Sequence, residues 1–222
     1  MRDKRNLNLE KIFWQIKGMR HFFMIPFLII FLVQPVYMYL ILKAGYGFAQ
    51  PYITDEIIME ILQLYPPLSL WWAFWVLKKY LEDDDRELYY LYEKIKWHEI
   101  FAYNKLYMGT ILLSMLIYSP ITGITLSFYY YICIASVCFF YTAFTYWLAY
   151  FIKSATIILL PVLLYTFWVV APYNYSVYNW SYVRLFTDNF FKGIVHSLIF
   201  VVVGIVFVYL GKRENHKYIN YS

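Results

Sequence analysis

Carboxylates form the densest group of chemically active side chains in this chain, in the acid run from Glu82 to Asp85. Clustered acids near a membrane could hold the metal ion of a lipid transferase, but such a site would also use His ligands at a suitable spacing. The run has no such His companion, and it opens a segment with helical periodicity. We therefore predict no metal site and interpret the run as part of a docking element.

Nucleophilic chemistry has little support in the sequence. A rhomboid-type intramembrane protease needs a Gly-x-Ser-x-Gly-like motif, and none of Ser114, Ser119 and Ser127 has glycine at the required offset. Cys133 and Cys138 lie five residues apart, a spacing that does not place them on one helix face, so we interpret both as packing residues. The chain is predicted not to be an enzyme, with an intramembrane enzyme as the alternative class.

Composition places the chain in a membrane. Apolar residues make up 62% of the chain and charged residues 15%, whereas soluble proteins carry about a quarter charged residues. Aromatic residues reach 24%, which is typical of belts at the membrane–water interface. The net charge is +5, and the basic residues lie in the segments outside the apolar stretches. Because this distribution is explained by a membrane protein, we predict no nucleic-acid partner.

Six apolar stretches are long enough to cross a bilayer, which takes roughly 20 residues. We predict an all-α integral membrane protein with spans at Phe22–Leu42, Ile57–Leu77, Leu106–Leu126, Phe128–Ile152, Ala155–Pro172 and Gly193–Leu210. The breakers Ser119-Pro120 and Thr122-Gly123 separate the third span from the fourth. Since no repeat or linker divides the chain, residues 1–222 are predicted to form a single transmembrane domain.

The positions of Lys and Arg predict the orientation, because cytoplasmic segments are enriched in both. With a cytoplasmic N-terminus, only Lys43, Arg184 and Lys192 fall outside, and the other 16 of the 19 basic residues fall inside. This asymmetry predicts that both termini are cytoplasmic.

Two polar segments have the apolar spacing of amphipathic helices. Residues 9–21 are predicted to form an interfacial helix in the inner headgroup layer, with a simple basic anchor as the alternative. Residues 84–96 are predicted to form a short cytoplasmic helix, which Asp84 and Glu87 begin in a capping-box-like pair. The alternative for this second segment is a solvated connector.

The stretch from residue 86 to residue 106 contains Arg86-Glu87-Leu88, Leu91-Tyr92, Lys96-Trp97-His98-Glu99-Ile100 and Lys105-Leu106. This stretch resembles the loop between the second and third spans of type-2 ABC exporter permeases, in which an acidic, Leu-rich coupling helix precedes the third span. The six-span layout resembles that family as well. The chain departs from that family at Tyr89-Tyr90 and at Lys94-Ile95-Lys96, where a proline often stands, and this affects the expected geometry of the turn.

The resemblance implies a specific partnership. A coupling helix would dock in the cleft of a cytoplasmic ABC ATPase dimer through Asp84, Glu87, Leu88, Leu91, Tyr92 and Ile95. ATP and Mg²⁺ would be bound by that partner and no cofactor by this chain, in which Gly211-Lys212 lacks the remaining residues of a phosphate-binding loop. A second copy of this chain or a homologous permease would complete the complex in the lipid bilayer of the bacterial cytoplasmic membrane.

A few polar and aromatic residues within the spans are candidates for a substrate pathway: Gln34, Gln63, Trp71, Trp75 and Glu60. The glutamines stand near prolines, whose breaks in a helix need cover from protein or a cavity. Alternatively, they hold helices together, and Glu60 marks a helix end emerging into water. A pathway short of charge suits an amphipathic peptide such as a bacteriocin or a phenol-soluble-modulin-like toxin, with a lipid or hydrophobic drug as the alternative cargo.

Overall fold

The computed structural model describes residues 17–44, 61, 64–82, 97–122, 128–170 and 190–221. Across these ranges the chain forms helices joined by short turns, without a strand. Four stretches are long and apolar enough to cross a membrane: His21–Leu40, Trp97–Pro120, Phe128–Ile152 and Phe190–Lys217. The all-α membrane class is confirmed at this level, and the count of six spans stays a prediction.

Helix α1 covers residues 20–44 as four consecutive pieces, namely a 3-10 turn at Arg20–Met24, an α-helical turn at Ile25–Leu28, a π-helical turn at Ile29–Val33 and an α-helix at Gln34–Ala44. Residues 64–68 are helical and lead through a turn at Ser69 into α2, Leu70–Leu81. The other helices of the described ranges are α3 Trp97–Thr122, α4 Phe128–Ile152, α5 Thr156–Val170 and α6 Phe190–Tyr221.

Helix α3 continues through the predicted breaker Ser119-Pro120 to Thr122, and α4 is described from Phe128, so the boundary between the third and fourth predicted spans lies outside the described residues. Several helices extend beyond their predicted spans, and the largest extensions are at α3, which begins well before Leu106, and at α6, which continues past Leu210. Hydropathy marks where a helix enters the apolar layer, whereas the helix itself continues as long as its backbone hydrogen bonds can form. Residues 9–16 and the predicted coupling helix at 84–96 lie outside the described residues.

Helices α4 and α6 run in the same direction and pack closely along their lengths. Gly193 lies against Tyr129, Gly204 against Phe139 and Phe140, and Gly211 against Tyr146 and Trp147, so the contacts advance together along both helices. A Cβ atom on Gly204 would lie 2.6 Å from Phe139 Cε1, and one on Gly211 would lie 2.4 Å from Tyr146 Cδ1. Small residues thus permit this close approach, as is common between helices in membranes.

An aromatic core joins α1, α2 and α3. The Trp72 indole of α2 is 1% exposed; it stacks on Phe23 of α1 with ring centroids 5.0 Å apart and meets the Tyr107 ring of α3 edge-on at 5.9 Å. Residues 64–81 contact α3 at two levels, where Tyr65 pairs with Ser114 and Tyr80 pairs with Glu99. Because the numbers rise in one helix and fall in the other, the two helices are antiparallel.

The described basic residues gather mainly at one end of the bundle. The contacts between Tyr80 and Glu99 and between Lys212 and Trp97 place the end of α2, the start of α3 and the end of α6 at the same level. That end carries Lys17, Arg20, Lys78, Lys79, Lys105, Lys153, Lys212, Arg213 and Lys217, whereas Lys43 and Lys192 stand at the opposite end. The helix arrangement is therefore compatible with the predicted charge asymmetry, while the membrane side that each end faces stays a prediction.

Candidate functional site

Gln34 is the predicted pathway residue with the most unusual surroundings. It follows the π-helical turn of α1, and only 3% of its surface is exposed. Its Nε2 atom is buried without a hydrogen-bond partner among the described residues. A buried polar group without a partner costs about 1–3 kcal/mol, and π-helical turns are frequent at functional sites. Gln34 therefore presents a polar group to which a ligand, a water molecule or another helix could bind.

Pro35 shows how this distorted part of α1 is stabilised. In the π-helical register, the Gln34 N–H donates to the Ile29 carbonyl, and the next donor in line for the Ile30 carbonyl would be Pro35, which has no N–H. The hydroxyl of Tyr118 in α3 donates to the Ile30 carbonyl instead. A side chain from a neighbouring helix thus satisfies the carbonyl that the proline leaves open, as the apolar layer requires.

A second proline in α1 is stabilised by tryptophans of α2. Pro26 has no N–H, so it cannot donate to the carbonyl of Phe22, as an α-helical register would require, or to the carbonyl of Phe23, as a 3-10 register would require. The Trp71 indole N–H donates to the Phe22 carbonyl over 2.7 Å, and the Trp72 indole N–H donates to the Phe23 carbonyl over 3.0 Å. Trp71, a predicted pathway residue, therefore holds α2 against the start of α1.

Trp75 lies one turn further along α2, towards the end rich in basic residues. Its ring stacks on Phe22 with centroids 4.9 Å apart, and the Lys78 ammonium lies 5.5 Å from the ring centroid. Its indole N–H is buried and has no acceptor within the described part of the chain. The structure thus places Trp71 and Trp75 side by side against the first turns of α1, and it places Gln34 further along the same helix.

Backbone carbonyls at the turn before α2 also accept hydrogen bonds from side chains. The Tyr107 hydroxyl of α3 donates to the Tyr65 carbonyl over 2.6 Å, and the Ser69 hydroxyl donates to the Pro66 carbonyl over 2.6 Å. The Ser69 N–H also donates to the Tyr65 carbonyl, at 3.2 Å. The predicted pathway residues Gln63 and Glu60 lie outside the described residues, and their role stays a prediction.

All six predicted coupling residues, Asp84, Glu87, Leu88, Leu91, Tyr92 and Ile95, also lie outside the described residues. The chain on either side of them is described, and both flanks are anchored by a carboxylate. On the first flank, Glu82 accepts hydrogen bonds from the Ser154 hydroxyl at 2.7 Å, the Thr156 N–H at 2.9 Å and the Thr156 hydroxyl at 2.7 Å. Glu82 therefore caps the start of α5, where a negative charge is favourable.

These hydrogen bonds also change the acidity of Glu82. Burial by itself would raise the pKa of the carboxyl group, but hydrogen bonds from the Thr156 N–H, from the Ser154 and Thr156 hydroxyls and from the Ala155 N–H outweigh it and lower the pKa. The carboxylate is consequently ionised at neutral pH, which is the state that caps α5.

On the second flank, Glu99 in the first turn of α3 is buried and accepts a hydrogen bond of 2.8 Å from the Tyr80 hydroxyl at the end of α2. The described chain on the two sides of residues 83–96 is therefore held at two points, by Glu82 at the α4–α5 turn and by Glu99 at α2. A displacement of that segment would act on several helices together.

Sequence reasoning missed a buried polar contact between α3 and α4. The Asn104 amide donates to the Thr142 hydroxyl at 2.5 Å and to the Cys138 carbonyl at 3.3 Å. An asparagine within an apolar stretch was the available signal. Cys133 and Cys138 are buried free thiols, and no group of three His, Cys, Asp or Glu residues that could hold a metal occurs within the described ranges.

Comparison of the chain with protein-family models, with curated proteins and with solved structures gives no significant match.

Proposed function

We propose that this chain is the membrane-spanning subunit of an ATP-driven ABC exporter and that residues 84–96 dock on a separate ATPase subunit. The observation that supports the proposal most is the anchoring of both flanks of this segment. Glu82 binds the start of α5, and Glu99 binds Tyr80 of α2. A push on the segment by a closing ATPase would reach α2, α3 and α5 through these hydrogen bonds.

In this proposal, the chain supplies the pathway and its partner supplies the chemistry. ATP and Mg²⁺ bind to the ATPase dimer, and a second copy of this chain or a homologous permease forms the other half of the channel. The buried Nε2 of Gln34, which has no hydrogen-bond partner among the described residues, marks the part of α1 where the pathway would offer a polar contact to an amphipathic peptide cargo. The alternative cargo is a lipid or a hydrophobic drug.

The direct test is purification of the tagged chain from its native membrane, followed by measurement of ATP hydrolysis and identification of the bound subunits. We expect a complex with an ABC ATPase, and no hydrolysis by this chain alone. The variant Asp84→Lys/Glu87→Lys/Leu88→Lys should remove the ATPase from the complex and leave membrane insertion unchanged. Stimulation of hydrolysis by an amphipathic peptide, compared with stimulation by phospholipid, then distinguishes the two cargo classes.

A matched control reverses two acids elsewhere. Asp55→Lys/Glu56→Lys changes the charge in a segment that is predicted to face outward, and it should leave the ATPase bound. Retention of the ATPase by the triple variant, or its loss in the control, would contradict the assignment of 84–96 as the coupling segment.

A further inference from the structure

Helices α3 and α6 both pack beside Phe139 of α4, and we refer to the face of α4 between them as the groove. Phe139 of α4 forms part of its floor, because its ring lies 5.4 Å from the Phe101 ring of α3 and also contacts Gly204 of α6. Phe128 and Ile132 continue the same face of α4 and are 68% and 42% exposed. The groove is thus lined by apolar side chains and opens to the outside of the bundle.

One end of the groove is cationic. The Lys212 ammonium of α6 lies 3.9 Å above the Trp97 ring of α3 and bridges the two walls of the groove. The His98 ring lies against Trp97, tilted, with centroids 3.6 Å apart, and both Lys212 and Lys105 repel positive charge on the His98 ring. The nearby carboxylate of Glu214 is 2.7 Å from Lys217, so it is already paired. Two lysines thus lie near enough to His98 at this end to act on it electrostatically.

The other end of the groove is an apolar cavity of about 290 Å³ between α3 and α4. Its lining includes Leu112, Met115, Leu116, Phe128 and Tyr131. Lys105, Leu112 and Leu116 fall on one side of α3 because their spacing of seven and four residues corresponds to whole helical turns. The cavity therefore continues the groove that begins at the cationic end.

The distance between the two ends matches one leaflet of a bilayer. Eleven residues of helix separate Lys105 from Leu116, which corresponds to about 16 Å at the α-helical rise. Half of the hydrocarbon core is about 15 Å thick. A phosphate at the level of Lys105 would thus place the end of an acyl chain at the level of the cavity.

We propose that this groove is a binding site for an anionic phospholipid. His98, Lys105 and Lys212 hold the phosphate, and an acyl chain lies along Phe101 and Leu112 with its end in the cavity. Basic clusters between membrane helices bind anionic lipid headgroups, and aromatic residues are favoured at that depth. This inference does not depend on the proposed transport function.

Native mass spectrometry of the full-length protein in detergent tests the proposal by titration with phosphatidylglycerol and phosphatidylcholine. We expect phosphatidylglycerol to bind with at least tenfold higher apparent affinity. Lys105→Gln/Lys212→Gln should weaken its binding by about 25-fold, because each basic residue near an anionic lipid contributes on the order of fivefold. Lys212→Arg, which keeps the charge, should bind as the natural protein does.

The matched control is Lys78→Gln/Lys79→Gln, which removes the same charge from the same end of the bundle but from α2. This variant should keep the apparent affinity for phosphatidylglycerol within about twofold of the natural protein. An equal loss of affinity in both double variants would mean that the lipid is attracted by general surface charge and would contradict the proposed site. Glycerol 1-phosphate should not compete, and effective competition by it would mean that the site recognises phosphate without a lipid chain.

A second variant tests the cavity. Leu116→Trp fills the apolar end at a residue that is 64% exposed and therefore tolerant of the larger ring. It should weaken binding of a long-chain phosphatidylglycerol at least fivefold and leave binding of the dihexanoyl form unchanged. Equal effects on both chain lengths, or none on either, would contradict the proposed position of the acyl chain.

Discussion

Two tyrosine hydroxyls of α3 donate to backbone carbonyls of neighbouring helices, at Ile30 and at Tyr65, and the two carbonyls differ in what remains when the hydroxyl is removed. Tyr118→Phe deletes the donor to the Ile30 carbonyl, for which the following proline offers no replacement. Tyr107→Phe deletes the donor to the Tyr65 carbonyl, which still accepts a hydrogen bond from the Ser69 N–H. The same chemical change is thus made at a carbonyl without a backbone donor and at one that has a backbone donor.

The expected magnitudes follow from that difference. A buried carbonyl left without a donor costs about 1–3 kcal/mol, whereas interhelical hydrogen bonds in membranes contribute about 0.6 kcal/mol on average. We expect Tyr118→Phe to lower the free energy of unfolding by about 1–2 kcal/mol and Tyr107→Phe to lower it by about 0.6 kcal/mol. Tyr209→Phe is the control, because Tyr209 is 68% exposed, and its effect should stay within about 0.5 kcal/mol.

The assay is reversible unfolding of the purified chain in mixed micelles, followed by circular dichroism and by tryptophan fluorescence. The reasoning would be refuted if Tyr107→Phe cost as much as Tyr118→Phe, or if neither differed from Tyr209→Phe. Either result would mean that these hydroxyls do not stabilise the broken helices.

Further predictions concern charge, close packing and the pathway. The pKa of Glu82 is lowered in the folded state, so the ionised carboxylate stabilises the fold above its ordinary pKa of about 4.3. This stability is lost as the pH falls through the lowered pKa. The free energy of unfolding should therefore depend less on acid pH in Glu82→Gln than in the natural protein. Gly211→Ala should lower the free energy of unfolding by about 1–3 kcal/mol, because the new Cβ would lie 3.2 Å from the Trp147 backbone. Gly109→Ala is the control in the same assay: no atom lies within 4 Å of its Cβ position, so this variant should be neutral or stabilising. Gln34→Leu should reduce cargo-stimulated ATP hydrolysis without lowering thermal stability, since its Nε2 has no partner to lose within the described residues; lost stability with normal stimulation would assign Gln34 to helix packing.

The sequence predicted the features that depend on local pattern. Hydropathy identified the helical membrane class. The predicted breaker at Pro120 did not end α3, which continues to Thr122. The spacing of Gly204 and Gly211, seven residues apart, was a visible signal for close helix packing. It could not identify α4 as the neighbouring helix, because nothing local to α6 specifies its partner.

The contacts that stabilise the prolines could not be predicted from the sequence, because their partners lie far apart in the chain. Tyr118 and Ile30 are 88 residues apart, and Trp71 and Phe22 are 49 residues apart. The many tyrosines and tryptophans were interpreted as interfacial belts, whereas several of them donate hydrogen bonds to backbone carbonyls within the bundle. Glu82 was assigned to the acid run, and its hydrogen bonds to the start of α5 became apparent only in three dimensions.

The measurement that tests the central claim most directly is site-specific photo-crosslinking in intact cells, with a photoreactive residue at position 91 in the predicted coupling helix. We expect a covalent product between position 91 and an ABC ATPase, and no such product from position 52 in the segment predicted to face outward. A product from position 52, or only lipid adducts from position 91, would contradict the claim that residues 84–96 couple this chain to an ATPase.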